Sequence, residues 1–321
     1  MDKVFAWAQS ASALRTTAIF GGNDNFGSYH IKVIPCLSDN YCYVIVNATT
    51  KEAVVVDASD YLVVDAVVRQ LGVALVAVLT THYHADHSGG NEELAAVLPD
   101  LEVVAGELDA DRTPGCTKRV GDGEAFVAAG LAFTAIHTPG HTVGHMSYFL
   151  DAEDGQAPAV FTGDCLFVAG CGRFLESAGP ETMRASLAKL AALDPSTRIF
   201  AGHEYARSNL EFACCLEPEN AALREKLAIA TAADENLEPN MPSTIEFERA
   251  HNPFLRVDDP AVQKAADAEG DALRTLAVIR RKKDTFTKIG KAITFFLDAK
   301  EWWAGTPGDD QSKISTTSDA P

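Results

Sequence analysis

Between about residue 29 and residue 203 the chain alternates short apolar runs with turn chemistry. Residues 30–36 and 41–47 read as strands joined through Ser38, Asp39 and Asn40, whose side chains bond nearby backbone and so favour turns. Residues 52–57, rich in valine and ending in an aspartate, read as a third strand. Residues 60–71 space their apolar positions three and four apart, the period of a helix with one buried face. Residues 74–81 form a nearly unbroken apolar run of strand length, as expected for a strand covered on both sides. Residues 91–98 and 181–193 predict helices, the second with Pro180 near its start, where a missing N–H does no harm. Residues 102–105, 131–136, 146–150, 159–162 and 198–201 predict further strands.

From Tyr205 the texture changes. Residues 209–216, 221–235 and 262–283 are rich in alanine and leucine and predict helices, so a boundary near 204–206 separates an α/β part from a mainly helical one. The expected layout is an extra segment over 1–29, an α/β domain over 30–204, a helical domain over 205–303 and a disordered polar tail over 304–321. The apolar stretch 289–303, with Phe295, Phe296, Trp302 and Trp303, predicts a helix packed back on the body.

Composition narrows the partners. With 321 residues, 47% of them hydrophobic, the chain can build a large core. A formal charge of -18 repels phosphate backbones, which argues against nucleic acid and makes the basic run at residues 280–283 stand out. Seven cysteines, an odd count without C-x-x-C spacing, fit a reducing compartment better than a disulfide framework. No apolar run reaches membrane-span length, and the N-terminus lacks signal-peptide order. The expectation is a cytoplasmic monomer, with an organelle left open by the extra N-terminal segment.

The chemistry concentrates in Thr81-His82-Tyr83-His84-Ala85-Asp86-His87. Imidazole and carboxylate suit zinc, iron or manganese. Residues two apart in an extended segment point the same way, so His82 and His84 can reach one ion. Ser88-Gly89-Gly90 then permits a turn that aims Asp86 and His87 at a second point. His141, Asp164 and His203 each follow an apolar strand, and strand ends in an open α/β arrangement share one rim. His30, His137, His145 and His251 read as structural.

Seven ligands exceed the roughly four that one zinc takes. Two divalent ions fit the count: His82, His84 and His141 on one, Asp86, His87 and His203 on the other, and Asp164 between. Such a pair, zinc first with iron or manganese as alternatives, can hold a hydroxide nucleophile at neutral pH, with Asp86 and Asp164 as the catalytic carboxylates. Asp57, ending a strand before the ligand loop, reads as a group that orients a ligand histidine.

With these residues in hand the chain resembles the metallo-β-lactamase superfamily and, within it, glyoxalase II, the hydroxyacylglutathione hydrolases. The likeness runs from Asp39-Asn40-Tyr41 and Asp57 through the T-H-Y-H-A-D-H-S-G-G-N stretch, Thr138-Pro-Gly-His141, Thr162-Gly-Asp164, Gly170-Cys-Gly172 and Gly202-His203-Glu-Tyr205. It continues in Asn252-Pro-Phe254 and Arg280-Arg-Lys-Lys283-Asp284. The resemblance implies an αββα sandwich followed by a mainly helical C-terminal domain. It also implies hydrolysis of S-D-lactoylglutathione to D-lactate and glutathione, a reaction of methylglyoxal detoxification. By analogy Arg173, Phe174, Tyr205, Arg280 and Lys283 would hold the glutathione moiety. Leu175 stands where the family often has tyrosine, and Ser177 where it has glycine. The rival readings are a persulfide dioxygenase with one iron on the same fold, and a metal-binding module without catalysis.

Overall fold

The computed structural model describes residues 28–293 apart from 152–154 and 177, with residues 287–293 as helix backbone. Most of the predicted N-terminal segment, the polar tail, Ser177 and the greater part of 289–303 lie outside the described residues.

Two six-stranded sheets face each other. The first contains β1 (Tyr29–Cys36), β2 (Asn40–Asn47), β3 (Glu52–Val56), β4 (Ala74–Thr80), β5 (Glu102–Gly106) and β6 (Lys118–Val120) in that spatial order. Its first three strands run antiparallel and its last four parallel. The second contains β7 (Ala125–Ala128), β8 (Leu131–His137), β9 (Met146–Leu150), β10 (Ala159–Gly163), β13 (Arg198–Ala201) and β14 (Ser243–Thr244). Here only β10 and β13 are parallel. A small hairpin, β11 (Leu166–Phe167) with β12 (Gly170–Cys171), follows β10.

The strand sequences explain the layering. Side chains alternate across a strand, so Val54 and Val56 of β3 enter the core between the sheets, while Ala53 and Val55 enter a second core under helix Tyr61–Leu71. In β10, Phe161 points between the sheets and Val160 outward against helix Pro180–Ala191. Burial on both faces is why these strands read as runs rather than alternations. Tyr43 locks the sheets together, its ring 5.4 Å from Phe161 and 5.3 Å from Phe200. Each such buried ring contributes about 1.5–3 kcal/mol. The resulting order, helix, sheet, sheet, helix, is the αββα sandwich that the resemblance implies.

Beyond β13 the chain is mostly helical, with helices Ala206–Leu216, Ala221–Asn236, Ile245–His251, Pro260–Ala265 and Ala272–Ile293. The expectation of one helix over 262–283 is incorrect. The chain breaks after Ala265, passes Asp267 and Gly270 with φ of 54° and 78°, and restarts where Asp271 Oδ1 accepts from Arg274 N. Its first stretch contributes Val262 to a shared apolar cluster, and its second Leu276 and Ile279. Strands β6, β7, β11, β12 and β14, two to four residues each, and helix Ile245–His251 escape the periodicity reading because they are too short to show a period.

Candidate metal centre

Strands β4, β8, β10 and β13 run toward one rim, and the segments leaving them carry the predicted ligands. His82 and His84 follow β4, His141 follows β8, Asp164 follows β10 and His203 follows β13. The one-turn helix Ala85–Ser88 brings Asp86 and His87 back to the same place. Gly202 permits the close approach: a Cβ there would lie 2.6 Å from Asp164 Oδ1 and 2.7 Å from His87 Cε1.

The seven side chains converge in two groups. His82 Nε2 and His141 Nε2 lie 3.0 and 3.1 Å from His84 Nδ1. His87 Nε2 lies 3.2 Å from His203 Nε2, and Asp86 Oδ2 is 3.6 and 3.5 Å from those two nitrogens. Asp164 stands between the groups. Its Oδ2 is 3.4 Å from His141 Nε2, and its Oδ1 is 3.4 Å from both His87 Nε2 and His203 Nε2.

Neighbouring groups set the proton on each ring. Asp57 Oδ2 is 2.9 Å from His87 Nδ1, and Asp39 Oδ1 is 2.8 Å from His203 Nδ1. An ionised carboxylate only accepts, so each Nδ1 carries the proton and each Nε2 turns toward the centre. The Arg173 carbonyl does the same for His141 at 3.2 Å. Thr81 Oγ1 donates to Asp57 and so accepts from His82 Nδ1 at 3.1 Å. Asn40 Nδ2 holds Asp86 through its carbonyl and carboxylate oxygens, both at 3.0 Å. The predicted role of Asp57 thus has a direct geometric counterpart. Asp39 reads in the sequence only as a turn residue, because nothing local ties it to a histidine 164 positions away.

These residues fit divalent cations. Nitrogens around a tetrahedral ion with bonds of ~2.0–2.1 Å lie about 3.3 Å apart, close to the spacings here. The Asp164 Oδ1 atom is buried without a hydrogen-bond partner, an expensive arrangement unless a cation takes its charge. Electrostatics agree. Burial pushes His82 well below the ordinary imidazole range and lowers His84 and His141. At His203 burial acts the same way, but Asp164 and Asp39 outweigh it and lift the group to about 10. Asp164 itself is held well below the usual carboxylate range, because His203 and His87 outweigh its burial. The site therefore favours positive charge where its acceptors converge.

Of the structural histidines, His145 is fully buried; its Nε2 accepts from Asp164 N at 3.1 Å and its Nδ1 meets Thr138 Oγ1 at 3.0 Å. Among the predicted substrate contacts, Arg173, Phe174 and Arg280 line a cleft of about 250 Å³ together with Leu175, Arg281 and Asp284. Asp284 Oδ1 accepts from Arg173 Nε at 3.1 Å and Arg280 Nη2 at 3.3 Å. Tyr205 stacks on His203, rings 4.7 Å apart and inclined by 2°. Lys283 is buried elsewhere, bonding the Ser208 carbonyl and hydroxyl at 2.7 and 2.8 Å.

Comparison with known proteins agrees with this geometry. Residues 37–203 match the model of the metallo-beta-lactamase superfamily, and residues 204–286 match that of the hydroxyacylglutathione hydrolase C-terminus. The chain is 42% identical over 252 residues to the cytoplasmic hydroxyacylglutathione hydrolase of Arabidopsis thaliana, covering 78% of this chain and 96% of that one. It is 38% identical over 258 residues to the hydroxyacylglutathione hydrolase of Synechococcus sp., covering 80% and 99%. Among solved structures, ETHE1 from Myxococcus xanthus superposes with a TM-score of 0.55 at 24% identity, covering 78% of this chain and 89% of that one, a likeness of fold. A sandwich rim carrying a divalent-metal site, followed by the matching helical region, places the chain in the metallo-β-lactamase superfamily, within the hydroxyacylglutathione hydrolases.

Proposed function

We propose that the protein hydrolyses S-D-lactoylglutathione to D-lactate and glutathione at a centre of two divalent ions, zinc before iron or manganese. His82, His84 and His141 would hold one ion, Asp86, His87 and His203 the other, and Asp164 would serve both. The observation that carries this reading is the position of Asp164, with one carboxylate oxygen facing each group of donors. When bound, divalent metal supplies Lewis acidity and a water whose pKa falls to roughly 7.

The chain's own residues do the rest. Asp57, Asp39, Thr81 and the Arg173 carbonyl keep four imidazoles in one tautomer and orientation, so no reorganisation is needed when charge develops. Arg173 links the two halves of the site: its carbonyl fixes His141, and its side chain lines the cationic cleft beside Arg280. Paired guanidiniums suit the carboxylates of glutathione. Tyr205 stacks its ring on His203 and so packs an aromatic wall beside the centre. A leaving thiol of pKa about 8.5 needs no strong general acid, consistent with the lack of a dedicated one among these residues. No helix of the described residues is long and apolar enough to cross a membrane. A monomer, cytoplasmic location and a division near residue 204 belong to the same proposal.

The test is loss of thioester absorbance with purified protein and S-lactoylglutathione, with trypanothione thioester and chelator controls. Hydrolysis of the glutathione thioester that a chelator abolishes supports the reading. Metal-free protein with full activity, or oxygen uptake on glutathione persulfide in place of hydrolysis, refutes it.

A further inference from the structure

Glu176 lies three residues beyond Arg173, at the surface, with φ of 57°, a left-handed conformation unusual for a residue with a side chain. Its carboxylate reaches three distant segments. Oε1 accepts from Tyr83 Oη at 3.1 Å and from Arg112 Nη1; Oε2 accepts from Val143 N at 2.7 Å. Arg112 lays its guanidinium over the Tyr83 ring, 3.9 Å from the centroid, and donates to Asp109 Oδ1 at 2.6 Å. Asp109 is fully buried and accepts from Thr142 Oγ1 at 2.6 Å and Gly144 N at 3.1 Å.

Two of these segments belong to the centre, and Arg112 bridges them to Asp109. Tyr83 sits between His82 and His84, and residues 142–144 directly follow His141. On the other side, Arg173, Phe174 and Leu175 line the cationic cleft. Three bonds join the cleft segment to the His141 loop: Arg173 O to His141 Nδ1, Leu175 N to Gly140 O, and Glu176 Oε2 to Val143 N. The first involves a candidate ligand ring and the second backbone alone. The third is a charged side chain that touches neither a ligand nor the cleft.

We infer that Glu176, with Arg112 and Asp109, is a clasp that positions the substrate-binding segment 173–175 against the metal-ligand loops, so that the thiol end of the substrate is aligned with the centre. A charge-assisted bond between loops fixes distance as well as orientation, and it resists the loosening to which loops are prone. The left-handed backbone at Glu176 is the conformational cost of aiming one carboxylate at three donors. The inference deepens the proposed function and rests on it for the identity of the substrate.

The experiment uses full-length, metal-loaded protein. Glu176→Ala is expected to raise KM for S-lactoylglutathione about tenfold, with kcat within about twofold and metal per chain unchanged. A lactoyl thioester of a short thiol without the tripeptide should lose little, since nothing of it reaches the cleft. Glu176→Gln, which keeps only one acceptor oxygen, should fall between. Hydrogen exchange should accelerate at Val143 and over 173–176. Unchanged KM with unchanged exchange overturns the clasp, and so does loss of metal or of kcat on both thioesters, which would make Glu176 a support of the centre. If the wild type hydrolyses no glutathione thioester, the substrate assignment fails while the exchange comparison still decides the clasp.

Discussion

Asp39→Asn tests whether the two groups of ligands are separately supported. Asp39 Oδ1 lies 2.8 Å from His203 Nδ1, and the side chain is 39% exposed. Asparagine keeps an oxygen for that N–H, so the ring stays oriented, but the negative charge behind it is lost. Losses of 10- to 100-fold in metal affinity are typical for such partners. Solvent already screens Asp39, so the lower end applies: about tenfold, or about 1.4 kcal/mol, at the site that includes His203. The site of His82, His84 and His141 has no contact with Asp39 and should hold its ion unchanged. Asp57 gives the contrast. Its side chain is 3% exposed and takes bonds from Thr81 N, Thr81 Oγ1 and His87 Nδ1. An amide group there must turn a donor toward a donor, so Asp57→Asn should cost nearer 100-fold. Stepwise titration of the metal-free protein with zinc, in competition with a chromophoric chelator, measures both sites. Equal weakening of the two sites by Asp39→Asn, or a larger loss from Asp39→Asn than from Asp57→Asn, would refute the reasoning.

Gly202→Ala puts a methyl group within 2.7 Å of both Asp164 Oδ1 and His87 Cε1. The expected result is at least half the bound metal lost with far-UV dichroism unchanged, as elemental analysis and a spectrum will show. Glu248 is fully buried, and burial raises its carboxyl to about 7 from 4.5 despite bonds from Ser243, Ala169 N and Asn252. The folded state thus keeps this proton longer than the unfolded chain does. Its contribution, about 3 kcal/mol, is complete below pH ~4.5 and disappears as pH rises through about 7. Urea midpoints for Glu248→Gln should fall less steeply than wild type across that window; parallel slopes would contradict the assignment.

The candidate ligands are legible in the sequence because the chemistry is local or follows a recognisable strand. His82, His84, Asp86 and His87 occupy six positions, and the apolar runs before His203 and Asp164 announce strands that end at a rim. The groups that orient them are less so. Asp57 can be inferred from its place at a strand end, but Asp39, Asp109 and Glu176 meet His203, Thr142 and Val143 only when loops 33–164 residues away fold beside them. The broken helix near Asp267 has a related cause. Alanine-rich composition supports helix on either side, and Glu269-Gly270-Asp271 carries the stop-and-restart signal.

Strand β14 has a bearing on how freely the halves of this protein can be parted. The two family models meet between residues 203 and 204, yet Ser243–Thr244, well past that point, form the outermost strand of the second sheet beside β13. Cutting the gene at the junction would leave Arg198 and Ile199, the two residues paired with β14, on an uncovered sheet edge, an invitation to self-association. The catalytic portion is accordingly not a cassette to be grafted alone; any chimera must carry its seam strand with it.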